Sequence, residues 1–316
     1  MIRSARLLVM VAGLGVGIAQ HDVVHGMEYT IGGAMVAEAY SYYMYPQWTT
    51  ETAGDFARWV GDSARIAYGM ATDAKRRKDT SALTASSPFL AYSIYNNFLT
   101  DVNDLLELGA GHGSLSYHIA RSFAKRSSST RYDIVECDHV YFNVLRPRMQ
   151  QFNAGIHPIS TYCESFNESW KPRTESSSLL YDAILSTLPW TIMSDETQKA
   201  IQKRIIELLK PGGKFIWVSL AGAKSVGAAK AAKKGTKALE AYTAMLRNFD
   251  AWLENNFDSI KMHYDRGTVS WLESLNHKKN WVMQQCGFKA PLTDSEYTLL
   301  LNVTPMRVYV AIKKQA

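Results

Sequence analysis

The segment Leu105-Leu106-Glu107-Leu108-Gly109-Ala110-Gly111-His112-Gly113 constrains this chain more than any other. A short apolar run of the kind that forms a buried strand meets three glycines at alternating positions, and a helix-forming stretch begins at Ser114. Glycine adopts positive φ without strain and lets a ligand approach the backbone, while a helix N-terminus presents N–H groups that have no partner within the helix. Strand, glycine turn and helix in that order predict a Rossmann-like α/β fold, with a ligand at the carboxyl ends of parallel strands. Dinucleotide sites space their glycines G-x-G-x-x-G to hold a pyrophosphate. Here the spacing is G-x-G-x-G, with Glu107 two residues ahead of the first glycine, which departs from the dinucleotide pattern but keeps the ligand-binding strand–loop–helix context. Glu107, Gly109, Ala110, Gly111, His112 and Gly113 are the ligand's expected contacts.

The following sequence continues the alternation. Strands are predicted at 102–108, 132–136, 156–163, 182–186 and 214–220, and helices at 114–125, 141–151 and 195–209. Pro211-Gly212-Gly213 should stop the last of these helices and turn the chain into a strand. Two late strands, 297–303 and 307–312, are predicted to close the sheet as an antiparallel pair. Residues 81–316 thus form one domain, preceded by a helical extension over 1–80 that carries no motif. A helical insertion spans about 222–293. Within it Leu239, Tyr242, Leu246, Phe249, Leu253, Phe257 and Ile260 recur at three- and four-residue steps, the pattern of an amphipathic helix. Lys224, Lys230, Lys233, Lys234 and Lys237 stand at its start. The helix docks on its own domain, or it faces a membrane or covers a substrate.

An acid at the end of the second strand suits a sugar, because a carboxylate accepts hydrogen bonds from two vicinal hydroxyls. Glu136, followed by Cys137, is the preferred residue and Asp138 its rival. Glu164 and Ser165, after the third strand, are placed to meet a purine amino group, and Ser186 ends the fourth strand beside the glycine loop. The eight histidines and three cysteines (Cys137, Cys163 and Cys286) are scattered, so neither a metal site nor a disulfide framework is predicted. Net charge is +6, which suits an anionic partner such as a membrane surface or nucleic acid. Arg3 and Arg6 precede an apolar run over residues 7–19, too short to span a bilayer. The run fits a signal h-region, a mitochondrial-type leader, an interfacial anchor or a buried core helix.

Several further segments carry a resemblance. Thr84-Ala85-Ser86-Ser87-Pro88-Phe89-Leu90-Ala91 resembles the PSS-x-FLA segment of bacterial phospholipid N-methyltransferases. Ser186-Thr187-Leu188-Pro189-Trp190 is similar to their SGLP motif after strand four, with Thr in place of Gly. Leu208-Leu209-Lys210-Pro211-Gly212-Gly213-Lys214-Phe215 is similar to LRPGGRF, and Leu301-Asn302-Val303-Thr304-Pro305-Met306-Arg307-Val308-Tyr309 to NLPPARVY. The ribosomal RNA adenine dimethyltransferases, with their N-L-P-Y loop, are the neighbouring family. The resemblance implies a seven-stranded class I methyltransferase sheet and S-adenosyl-L-methionine (SAM) as cofactor, with S-adenosyl-L-homocysteine as product and no metal. It implies an amine acceptor, a phosphatidylethanolamine-type headgroup at a membrane surface. That membrane would be mitochondrial in a eukaryote, or the inner membrane, on its cytoplasmic face, in a bacterium. Leu188, Pro189 and Trp190 would hold the amine and Tyr92 would line the pocket; a core position is the other reading of Trp190 and of Tyr92. RNA or protein methylation with a nucleic-acid or ribosomal partner remains open, as does a non-catalytic assembly role.

Overall fold

In the computed structural model residues 58, 61–62, 86, 88–126, 129–152, 159–172, 180–220, 223–264 and 306–315 are described. The chain divides into two units, Met1–Arg65 with Arg266–Pro305 and Ile66–Asp265 with Met306–Ala316; every element below belongs to the second. The apolar run at 7–19 and the strand expected at 297–303 lie outside the described residues.

In chain order the elements are α1 (Pro88–Ile94), continued by a π-helical turn (Tyr95–Leu99), β1 (Asp104–Leu108), α2 (Ser114–Ala124), β2 (Arg131–Val135), α3 (His139–Gln150), β3 (Ile159–Tyr162), β4 (Tyr181–Ser186), α4 (Asp195–Leu208), β5 (Leu209–Leu220), α5 (Ala223–Lys233), α6 (Thr236–Asn256), β6 (Phe257–Tyr264) and β7 (Met306–Lys313). One sheet holds all seven strands in the order β3-β2-β1-β4-β5-β7-β6. β1 to β5 run parallel, and β7 lies antiparallel between β5 and β6. This is the mixed Rossmann-like α/β sheet expected from the sequence.

Side chains alternate across it, as a strand requires. Leu105, Ile134, Leu185 and Ile216 join the core on one face with Leu115, Ile119 and Phe123 of α2. Leu106, Leu108, Val135, Ile184 and Phe215 join the core on the other, with Ile201 and Ile205 of α4 and Phe249 and Leu253 of α6. Each such large apolar side chain contributes roughly 1.5–3 kcal/mol by leaving water.

Two expectations are corrected. β6 begins at Phe257, so the amphipathic helix stops at Asn256, and β7 takes β6 as its antiparallel partner. Phe257 and Ile260 continue the helical spacing of α6, while Ile260, Met262 and Tyr264 alternate as a strand does, and pairing with β7 decides between the two. β5 also starts early. Leu209 pairs with Tyr181 before an irregularity that takes up Pro211-Gly212-Gly213, and regular pairing resumes at Lys214. Among the described residues no helix is long and apolar enough to cross a membrane.

Candidate functional site

Four connections meet at the carboxyl edge of the sheet: 109–113 after β1, 136–138 after β2, 163–170 after β3 and 187–194 after β4. The glycine loop is the tightest. Gly109, Gly111 and Gly113 all have positive φ (80°, 58° and 76°), and the Gly109 amide donates to Val135 O at 2.9 Å, tying the loop to β2. A Cβ on Gly109 would lie 2.9 Å from Leu188 Cδ2, and one on Gly113 only 2.5 Å from Leu145 Cδ1. Those two glycines are packing positions. Gly111 differs, because a Cβ there would meet nothing within 4 Å. Open space over its backbone is the cradle a ligand needs. α2 starts directly from Gly113 with no side-chain cap, whereas Asp138 and Ser194 cap α3 and α4.

The two acids after β2 point to different partners. Asp138 Oδ1 accepts from the Val140 amide at 2.8 Å, which makes it the cap of α3. Glu136 turns to the glycine loop: Oε2 accepts from the Gly111 amide at 2.7 Å and Oε1 from the Asp138 amide at 2.8 Å. Burial pushes its pKa up against those two bonds. Each oxygen still has a second lone pair, so the carboxylate can accept from a ligand lying over Gly111.

The loop after β4 locks onto the glycine loop. Thr187 donates its hydroxyl to Gly109 O and its amide to Leu108 O at 3.0 Å. Ser186 Oγ is buried and accepts from the Leu188 amide at 3.3 Å and from Trp190 Nε1 at 3.0 Å. The Leu188 and Pro189 carbonyls each accept a bond within the loop, from Trp190 N and Ile192 N. Trp190 itself is 7% exposed and sits among Phe215, Phe249 and Trp252, with ring centroids 5.1–6.4 Å away. Its ring packs against protein, as the core reading of Trp190 expects, and its Nε1 bond to Ser186 braces the loop.

No protein-family model matches this chain, and no curated protein matches it. Among solved structures it is similar to the S-adenosylmethionine-dependent methyltransferase SibL (12% identity, 72% of this chain and 54% of that one, TM-score 0.41). It is similar also to the N-methyltransferase NodS from Bradyrhizobium japonicum (12%, 72% and 98%, TM-score 0.41). A third is an O-methyltransferase from Bacillus cereus in complex with SAH (10%, 90% and 100%, TM-score 0.45). The chain thus spans about half the length of the first and nearly all of the other two.

The remaining expected residues divide. Gly109, Ala110, Gly111, Gly113, Glu136, Ser186, Leu188 and Pro189 converge at the carboxyl edge. Glu107 does not reach it. It is fully buried under the loop, where Tyr132 donates to Oε2, and burial pushes its pKa up to about 7. His112 is likewise interior, its ring 4.4 Å from that of Tyr141. Glu164 Oε1 accepts from Trp170 Nε1 at 2.9 Å, so one oxygen of this expected purine contact is already engaged. Ser165 and Cys137 are exposed. Tyr92 packs on α2, receiving a hydrogen bond from Arg121 beside the ring of His118. Among the described residues no cluster of three His, Cys, Asp or Glu side chains is placed to hold a metal.

Sequence reasoning gave no role to Thr187, whose hydroxyl joins the two loops. Its only signal was Thr in place of Gly within the motif. Likewise missed was the pairing of Cys163 Sγ with His139 Nδ1 at 3.1 Å, which joins the connection after β3 to the start of α3.

Proposed function

We propose that this chain binds S-adenosyl-L-methionine at the carboxyl edge of the sheet and transfers its methyl group to an amine. The single observation that carries the reading is the open space over Gly111 beside Glu136, inside a sheet ordered β3-β2-β1-β4-β5-β7-β6. Gly111 admits the methionine end of the cofactor, and Glu136 accepts the ribose hydroxyls. Bound there, the cofactor supplies a methyl group on an electrophilic sulfonium.

The protein's part is placement. Thr187 and Leu188 hold the loop after β4 against the glycine loop, so this loop would position the amine beside the bound cofactor. The bound cofactor would supply the methyl group to the amine nitrogen, leaving as S-adenosyl-L-homocysteine, with the amine's proton passing to water. Orientation alone is worth several kcal/mol of such a barrier, so no nucleophilic side chain is needed. The acceptor we favour is a phosphatidylethanolamine-type headgroup at a membrane surface, on the strength of the motifs at 84–91, 186–190, 208–215 and 301–309.

Incubation with methyl-labelled SAM, followed by separation of lipid, RNA and protein, tests both parts. Label in N-methylated ethanolamine lipid is expected. Label confined to RNA or protein would overturn the acceptor, and no label in any fraction while SAM binds would overturn catalysis in favour of an assembly role.

A further inference from the structure

α5 and α6 form a hairpin whose charge is one-sided. From 223 to 249 the chain has six basic residues (Lys224, Lys230, Lys233, Lys234, Lys237 and Arg247) against one acid, Glu240. Lys224 is paired with Asp250 at 3.3 Å. Lys230, Lys233, Lys234 and Lys237 are exposed and enter no ion pair among the described residues.

The hairpin's position follows from its contacts. Asn248 Nδ2 donates to Asp195 Oδ1 at 3.2 Å, which sets position 248 of α6 level with the first turn of α4, at the carboxyl edge. Below that level α6 is packed on the sheet through Phe249 and Leu253, so its apolar face is already covered by the protein's own core. Above it, Lys237 stands roughly 16 Å further along the axis at 1.5 Å per residue. The two helices stay together over this rise. The Tyr242 hydroxyl donates to Lys224 O at 3.2 Å, and Gly227 has no side chain to collide with the Tyr242 ring. Gly235, with φ 107°, makes the turn between them. The four lysines therefore sit at the tip of an arm that projects from the edge carrying the glycine loop.

We propose that this tip docks on the surface of an anionic bilayer and presents the carboxyl edge to it. Nucleic-acid surfaces combine a basic groove with arginine forks or exposed aromatic rings for bases. The tip offers neither among its described residues; it carries exposed lysine point charges, the form that complements a flat, diffusely charged surface. Each lysine near such a surface strengthens binding about fivefold, and salt weakens the attraction. The inference rests on the proposed function only for its purpose, which is to bring the acceptor to the site.

The test uses the full chain and sedimentation with vesicles of phosphatidylcholine, alone or with about a third phosphatidylserine. Binding is expected only to the anionic vesicles and should fall with added salt. The combined Lys230→Gln, Lys233→Gln, Lys234→Gln and Lys237→Gln variant should bind at least a hundredfold more weakly. Lys224→Gln, whose ammonium is already committed to Asp250, should stay within about threefold. Equal binding by the combined variant, equal binding to neutral vesicles, or lysine-dependent binding to an RNA oligonucleotide but not to anionic vesicles would each overturn the proposal. SAM calorimetry on the same proteins separates the two readings. Lost vesicle binding with intact SAM binding confirms the arm alone, and intact vesicle binding without SAM binding removes the proposed function alone.

Discussion

The two edges of the central sheet are built on opposite plans. At the amino edge, side-chain charges are matched to one another. Lys210 bridges Asp104 at 2.8 Å and Asp182 at 2.7 Å, and Arg131 lies 3.2 Å from Asp104 with its guanidinium over the Tyr181 ring. Burial works to raise the Asp182 pKa, yet Lys210 and the Asn103 and Asp104 amides hold it below the ordinary carboxylate range. At the carboxyl edge Glu136 is held by backbone amides, three glycines replace side chains, and Val140 and Ile192 are about half exposed. The amino edge ties the strands together, and the carboxyl edge is kept clear for something else to bind.

Trp190 tests where the boundary between these plans runs. Replacing it with Ala should cost roughly 3–5 kcal/mol in denaturant unfolding, because a large ring leaves the cluster of Phe215, Phe249 and Trp252. Loss of methyl transfer at unchanged stability would instead place Trp190 with the working edge.

Glu107 sharpens the comparison from beneath. Its folded pKa of about 7 lies above that of an ordinary glutamate, so the folded state keeps a proton that the unfolded chain releases. Stability attached to this group is therefore present below about pH 4.5 and is lost as pH rises toward 7, by about 3 kcal/mol. The Glu107→Gln variant lacks this loss. Unfolding measured from pH 4.5 to 8 should show it gaining on the wild-type chain as pH rises; a constant difference would mean that Glu107 is ionised in the fold.

Most of the sheet was legible because β1, β4 and the later part of β5 are largely apolar runs bounded by turn residues, β2 and β3 follow in the same strand–helix alternation, and the Gly109–Gly113 spacing places the loop. β6 was hidden because Phe257 and Ile260 satisfy the helical period of the residues before them. The choice between Glu136 and Asp138 depended on which one caps α3, a matter of backbone direction that spacing does not carry. Trp190 and Glu107 are turned inward for a related reason. A motif fixes where a residue stands along the chain, whereas its side chain turns to whichever partner lies near, here Ser186 for one and Tyr132 for the other.

The most direct measurement of the central claim is calorimetric titration of SAM into the wild-type chain, Gly111→Val and Glu136→Ala. The wild-type chain should bind. Gly111→Val should lose binding, since its side chain fills the open space at a backbone φ of 58°. Glu136→Ala should bind roughly tenfold or more weakly, the worth of the charge-assisted bonds it loses. Unchanged SAM affinity in both variants, with the fold intact, would contradict the account.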